Sequence, residues 1–436
     1  MTPAAAAMPR TSPPPAPTAG APVPARSNVP LAAEHFGAAI LYLLAGAVGL
    51  VWIAPELAIG AYPSPHVAGI THLFTLGWLT TTIFGALYQL LPVALGAPLR
   101  WIKVGHAEFW TFAPGAGIFA AGVVTGNTVL HHVGIGLVGA GVILGVANVA
   151  ATLPRARSRD VTWAAITIAI TFLASTLTLG VVLLHNIHTG FLAGARIRVL
   201  ATHLHVALVG WALVMMVGVS HRLLPMFLLS HGGTTRWTRR SLTLLATGVL
   251  ALSTGLATMQ WWAAWLGVAL LEGGVACFLW QARSFYVARV RRQTDVGMHF
   301  AGSALTFLLV SALLGPAVLA AGVMHPRLAT IYVVVGLLGG IVMYVVGFFY
   351  KIVPLLAWTV RFKDRMGKGN APTIAQMISA RVAHVQLATM ALAVVLLAAG
   401  IATASVHVTR CGAVLFLGGV LMFISQIWRV AMGGNA

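Results

Sequence analysis

The chain has 436 residues, of which 59% are hydrophobic and 8% charged, and its mean hydropathy is +0.92. No water-soluble fold hides that much apolar surface, so the composition excludes a soluble globular protein. The net charge of +19 sits in short clusters between apolar runs, which argues for membrane topology and against nucleic-acid binding.

Residues 1–36 are rich in Pro, Ala and Ser, with Ser12-Pro13-Pro14-Pro15 typical, and are expected to be a disordered tail. The stretch lacks the apolar core of a signal peptide, so it is expected to stay attached and cytoplasmic. Residues 37–436 then form one transmembrane domain. Apolar runs near 38–56, 67–93, 107–125, 130–152, 161–184, 199–227, 241–258, 260–281, 298–323, 328–357, 382–403 and 410–430 are each long enough to cross the hydrocarbon, which takes about 20 helical residues. All twelve are expected to be helices, because lipid leaves no partner for an open backbone. With both termini inside, twenty Arg and Lys fall on the cytoplasmic side and four on the other. That bias predicts a multi-pass protein of a bacterial-type inner membrane, its N- and C-termini cytoplasmic.

The second and sixth runs share a pattern. Counting from His72, glycine stands at +5, tryptophan at +6, glycine at +13 and Leu-Leu-Pro at +18 to +20, giving Gly77, Trp78, Gly85 and Leu90-Leu91-Pro92. Counting from His205 gives Gly210, Trp211, Gly218 and Leu223-Leu224-Pro225 at the same offsets. A third, degenerate copy lies in the tenth run, where Gly347 and Ile352-Val353-Pro354 are in register and Val334 replaces the histidine. Copies four helices apart predict an all-α fold of about 12 transmembrane helices in three pseudo-symmetric four-helix arcs.

Ten of the sixteen histidines fall near the outer ends of helices or in outer loops. An ionisable side chain inside a bilayer is costly and marks a cavity, partner or cofactor, so His72, His203 and His205 are the leading ligand candidates. Trp78 and Trp211 accompany them as cofactor-lining residues. His203 and His205 are two apart on a helix and point about 200° away from each other, so they are expected to serve different sites, or one of them to support a ligand without binding the metal itself. His185 and His188, three apart at the outer end of the fifth run, share a face and suit a shared metal or a hydrogen-bonded pair. Imidazole suits haem iron, copper and zinc alike. Cys277 and Cys411 lie in separate apolar runs, which removes covalent haem attachment and a paired-thiolate zinc site. Glu272 lies deep in the eighth run and, with Tyr88, is a candidate for a proton relay. Glu108 begins the third run, where a negative charge favours the helix dipole.

Twelve spans with both ends inside, threefold arcs, and outer histidines on the second and sixth helices resemble subunit I of the haem-copper oxidase superfamily. The resemblance covers the chain after residue 36 in topology, and the nitric oxide reductases and NnrS-type proteins are related in kind. It implies haem b, with copper as a second cofactor, and His72 as an axial ligand. It also implies redox chemistry of nitric oxide or oxygen, or electron transfer, with a quinol, a cytochrome c or a respiratory subunit as partner. The superfamily's histidine pair on helix 7 is missing here, and Val334 stands where helix 10 should carry a ligand, so a proton-pumping terminal oxidase is not expected. The pairing expected instead is His72 with His205. The competing readings are a copper- or zinc-handling transporter and a cofactor-free subunit of a respiratory complex.

Overall fold

The computed structural model describes residues 28–231, 233–290, 293–322, 325–362 and 372–433. Among them twelve helices are long and apolar enough to cross a membrane. They are α1 (Val29–Trp52), α2 (Pro65–Leu95), α3 (Ile102–Thr125), α4 (Thr128–Arg155), α5 (Val161–Thr189), α6 (Ala193–Leu228), α7 (Arg236–Thr258), α8 (Trp261–Val287), α9 (Val296–Ala321), α10 (Pro326–Phe362), α11 (Ala380–Ala402) and α12 (Val406–Met432). This is an all-α polytopic membrane protein. The face on which the even-numbered helices begin is called the upper face below.

Each expected span is present, and the first one starts earlier than its composition suggested. Helix α1 begins at Val29, with Pro30 in its first turn, where proline's missing N–H costs nothing. Leu31, Ala32, His35 and Phe36 face the core, so residues 29–36 belong to the folded domain and not to a disordered tail. The remainder of that expected tail lies outside the described residues.

The chain repeats one four-helix unit three times. The most extensive pairings are the hairpins α3/α4, α7/α8 and α11/α12, and α1 packs on α2, α5 on α6 and α9 on α10. Contacts of α4 with α5, α8 with α9 and α12 with α1 close the ring. The second helix of each unit is the longest, at 31, 36 and 37 residues, well beyond the length a bilayer needs. These helices, α2, α6 and α10, meet at the centre. The Trp211 indole N–H on α6 donates to Thr80 Oγ1 on α2 at 3.1 Å, Ser220 and Tyr344 join α6 to α10 at 2.6 Å, and Trp78 on α2 stacks on Phe349 of α10 at 4.8 Å.

Two local features carry the repeat into the backbone. Each central helix contains an eight-residue π-helical stretch, Leu73–Thr80, Val206–Leu213 and Val335–Val342. Each stretch begins one residue after His72, His205 and Val334. The wider turn releases i−4 carbonyls, and Thr80 and Thr81 hydroxyls donate five residues back to Thr75 O and Leu76 O at 2.9 and 3.1 Å. Inside each stretch a glycine admits an aromatic ring from the first helix of its unit. A Cβ on Gly210 would lie 2.6 Å from the ring of Phe172, and one on Gly339 2.7 Å from Phe307; Gly77 meets Tyr42 in the same way.

The second feature lies at the lower face. Asp160 caps α5 by accepting from the Thr162 and Trp163 backbone N–H groups at 2.9 and 3.3 Å, and forms an ion pair with Arg222 of α6. Asp295 caps α9, accepting from Met298 N at 3.3 Å, and pairs with Lys351 of α10. The first unit has the neutral versions of these groups, Asn28 before α1 and Gln89 on α2. Asn28 Nδ2 donates to the Tyr88 carbonyl at 3.0 Å instead.

Candidate functional site

Two to three turns inside α2 and α6, near the upper face, an imidazole from each helix reaches a common cavity, and His203 packs against Gly180 of α5, 3.5 Å from where a Cβ would stand. The rings brought together there are His72 and His203, with centroids 6.5 Å apart and planes inclined by 37°. Both line a cavity of about 70 Å³ bounded by α2 to α6, with Thr75, Thr80 and Thr176 as its hydroxyl groups and Phe119 at one side. The remaining wall is aliphatic, from residues such as Leu76, Val138 and Leu173.

The hydrogen bonds decide which ring atoms are free. His72 Nδ1 lies 2.7 Å from the Ala68 carbonyl, which only accepts, so Nδ1 carries the proton and Nε2 keeps its lone pair. A ligating imidazole needs such an anchor on its second nitrogen. Phe119 packs edge-on against the His72 ring at 5.1 Å and holds its rotamer. His203 Nδ1 is buried without a hydrogen-bond partner. Two imidazoles bound on opposite sides of one metal at about 2 Å each set ring centres about 6 Å apart, close to the spacing found.

His205 faces elsewhere, which corrects the expected pairing of His72 with His205. Its Nδ1 donates to the Ala201 carbonyl at 2.8 Å, and its Nε2 accepts from the Tyr332 hydroxyl of α10 at 3.2 Å. Both nitrogens are engaged. The two-residue spacing turns His203 towards α5 and His205 towards α10. Tyr332 thus joins α10 to α6 through His205, whereas Glu272 on α8 lies against Gly315 of α9, 3.2 Å from where a Cβ would stand.

The other outer histidines separate into different neighbourhoods. His188 stacks on His132 at 5.1 Å and meets His131 at 5.9 Å, whereas His185 lies against Phe191 at 5.3 Å. His185 and His188 are both exposed. Their helical register puts them on one side of α5, but each finds its own partner ring. His131 is buried, and neither of its ring nitrogens has a hydrogen-bond partner. Among the described residues no group of three or more His, Cys, Asp or Glu side chains is arranged to hold a metal ion.

Of the two tryptophans, Trp211 lines the cavity and Trp78 does not. Trp78 is fully buried between Phe349 and Phe423, part of the packing between α2, α10 and α12. Tyr88 is also remote from His72: sixteen residues separate them, about 24 Å along a helix. Its hydroxyl donates to Glu108 Oε2 at 3.0 Å, and His35 Nε2 contacts the same oxygen at 2.9 Å. His35 and Glu108 are both 0% exposed. Glu108 is therefore an interior carboxylate wedged between α1 and α2, and not the helix-start charge expected from its position. The sequence signal was the unusual pairing of an acid and a histidine, each a turn or two inside an apolar run; only the packing of α1 on α3 brings them together.

No protein-family model matches the chain, and no curated protein is similar to it.

Proposed function

We propose that the chain is a haem b-binding integral membrane protein of the haem-copper oxidase subunit I type, in which His72 and His203 would hold the haem iron. The observation that carries this reading is the pair of imidazoles facing one another across an apolar cavity, 6.5 Å between centroids, with His72 anchored through Nδ1. The donor set fits a six-coordinate iron. About 70 Å³ lies between the rings, room for a metal ion and little more. A haem held there supplies one-electron chemistry, in redox reactions of nitric oxide or oxygen or in electron transfer.

The chain's own residues set the conditions. Ala68 fixes the His72 tautomer, the aliphatic wall keeps water out, and the Trp211–Thr80 hydrogen bond closes the cavity towards the centre of the membrane. The charge bias supports a site near the extracytoplasmic face, with both termini cytoplasmic.

The test is an absorption spectrum of the full-length protein purified from haem-supplemented cells. A Soret band is expected that His72→Ala and His203→Ala each remove and His205→Ala retains. A colourless wild-type protein ends the haem reading; a band that survives His203→Ala but not His205→Ala returns the axial role to His205.

A further inference from the structure

At the lower face a second pair of imidazoles meets, on the first and third helices of the third unit. His299 lies in the first turn of α9 and His384 in the second turn of α11, and the packing of α9 on α11 brings the ring centroids to 5.3 Å. Both residues are exposed near the ends of their helices, where a dissolved ion can reach them.

Every nitrogen of the two rings has a defined neighbour. His384 Nδ1 lies 2.7 Å from the Ala380 carbonyl, which only accepts, so Nδ1 carries the proton and Nε2 a lone pair. That lone pair faces His299 Nδ1 at 3.1 Å, and His299 Nε2 lies 2.7 Å from the Thr294 hydroxyl. A hydroxyl both donates and accepts, so Thr294 serves either tautomer of a neutral His299. With its proton on Nδ1, His299 donates to His384. With the proton on Nε2, it donates to Thr294 Oγ1, and two lone pairs face one another. The second arrangement is the donor set of a metal site, each ring anchored through its far nitrogen and presenting the near one. The spacing also fits: two imidazole nitrogens at about 2.0–2.1 Å from one tetrahedral zinc ion lie about 3.3 Å apart.

The repeat supplies an independent argument. In the first unit the first and third helices meet through Glu34 of α1 and His106 of α3, 2.8 Å apart, a carboxylate against an imidazole. His106 and His384 are each the fifth residue of their helix. In the third unit the acid is gone, and the imidazole faces a second imidazole instead of a charge that would satisfy it.

We infer that His299 and His384 bind a divalent transition-metal ion of the zinc class, which bridges α9 and α11 at the lower face. Imidazole selects such ions over calcium and magnesium, which take oxygen ligands. On binding, the His299 proton moves from Nδ1 to Nε2 and is held by Thr294 Oγ1, so both ligands are neutral and no proton is released. Water completes the coordination of an ion with two protein ligands, so the ion exchanges with solution. The inference uses neither His72 nor His203, and a colourless protein leaves it standing.

The experiment titrates the untagged full chain in nanodiscs, stripped with a chelator, with Zn²⁺ alone by isothermal calorimetry, and reads the melting temperature with and without the ion. One saturable equivalent is expected that His299→Gln and His384→Gln each remove, whereas Ca²⁺ gives none. Glutamine keeps a hydrogen-bonding group, so both metal-free variants are expected to melt with the wild type. Zn²⁺ is expected to raise the melting temperature of the wild type alone, because the ion is held only where α9 and α11 are packed together. Thr294→Val keeps both ligands and removes an anchor, and is expected to weaken Zn²⁺ binding about tenfold. A wild type without saturable Zn²⁺ binding, or an equivalent retained in either glutamine variant, overturns the proposal. Where a glutamine variant does not fold, Thr294→Val decides, and an affinity equal to that of the wild type overturns it.

Discussion

Asp160 does two jobs with one carboxylate, capping α5 and pairing with Arg222 across to α6. Burial pushes its carboxyl up, but the Trp163 and Thr162 N–H groups and the Arg222 guanidinium outweigh that and hold it below the ordinary carboxylate value. A group depressed in this way stabilises the fold when ionised. Its contribution is complete above the unfolded value near 3.8 and is lost as pH falls through the folded value. The melting temperature of the wild type is therefore expected to drop between about pH 5 and pH 2, and Asp160→Asn, which keeps a capping oxygen, to flatten that drop and lower the plateau above it. Thermal melts across that range check the sign. At the same scale, His203 and His205 show how far residue type alone carries an argument. Helical geometry separates their directions, but which one meets His72 depends on α5 and α10, whose placement no local pattern encodes.

At the scale of the element, the π-helical stretches of α2, α6 and α10 unify features that look separate in sequence. The histidine immediately precedes the widened stretch, the glycine five residues on lies inside it, and the threonines at 80 and 81 close it. Because α10 keeps its stretch after losing the histidine, the widened turn is part of the scaffold, and the histidine is an addition to it. The glycine is required by a close approach, with Phe172 packed on Gly210. Gly210→Ala is expected to cost about 1–3 kcal/mol through overpacking, and Gly210→Ala combined with Phe172→Leu to recover part of that loss. A fluorescence-detected thermal melt in detergent resolves the difference. Glycine periodicity was legible beforehand; the aromatic partners were not, since they come from the first helix of each unit, 32 to 38 residues away.

For the whole molecule, three four-helix arcs close into a ring with the three longest helices at its centre. The cavity of His72 and His203 lies towards the upper face and the His299–His384 pair at the lower, so the two sets of imidazoles are separated by depth. Under the proposed orientation, a fluorescent protein fused after the last residue is expected to fluoresce in the cytoplasm, whereas a fusion in the loop between α5 and α6 is not. The opposite result inverts the proposed placement of both sites.

The amino-acid sequence by itself determined the membrane class, the twelve spans and the threefold repeat. These follow from hydropathy over about 20 residues and from spacing within single helices, both local quantities. It missed the start of α1, where Pro, Ala and a few apolar residues read as a tail until Leu31 and His35 are seen facing the core. Tertiary structure alone decided that His72 meets His203, that His35 and Tyr88 close on Glu108, and that His299 meets His384. Each joins residues on different helices, and the rotation of one helix against another is set by side-chain packing along their whole length, which no single stretch of sequence contains.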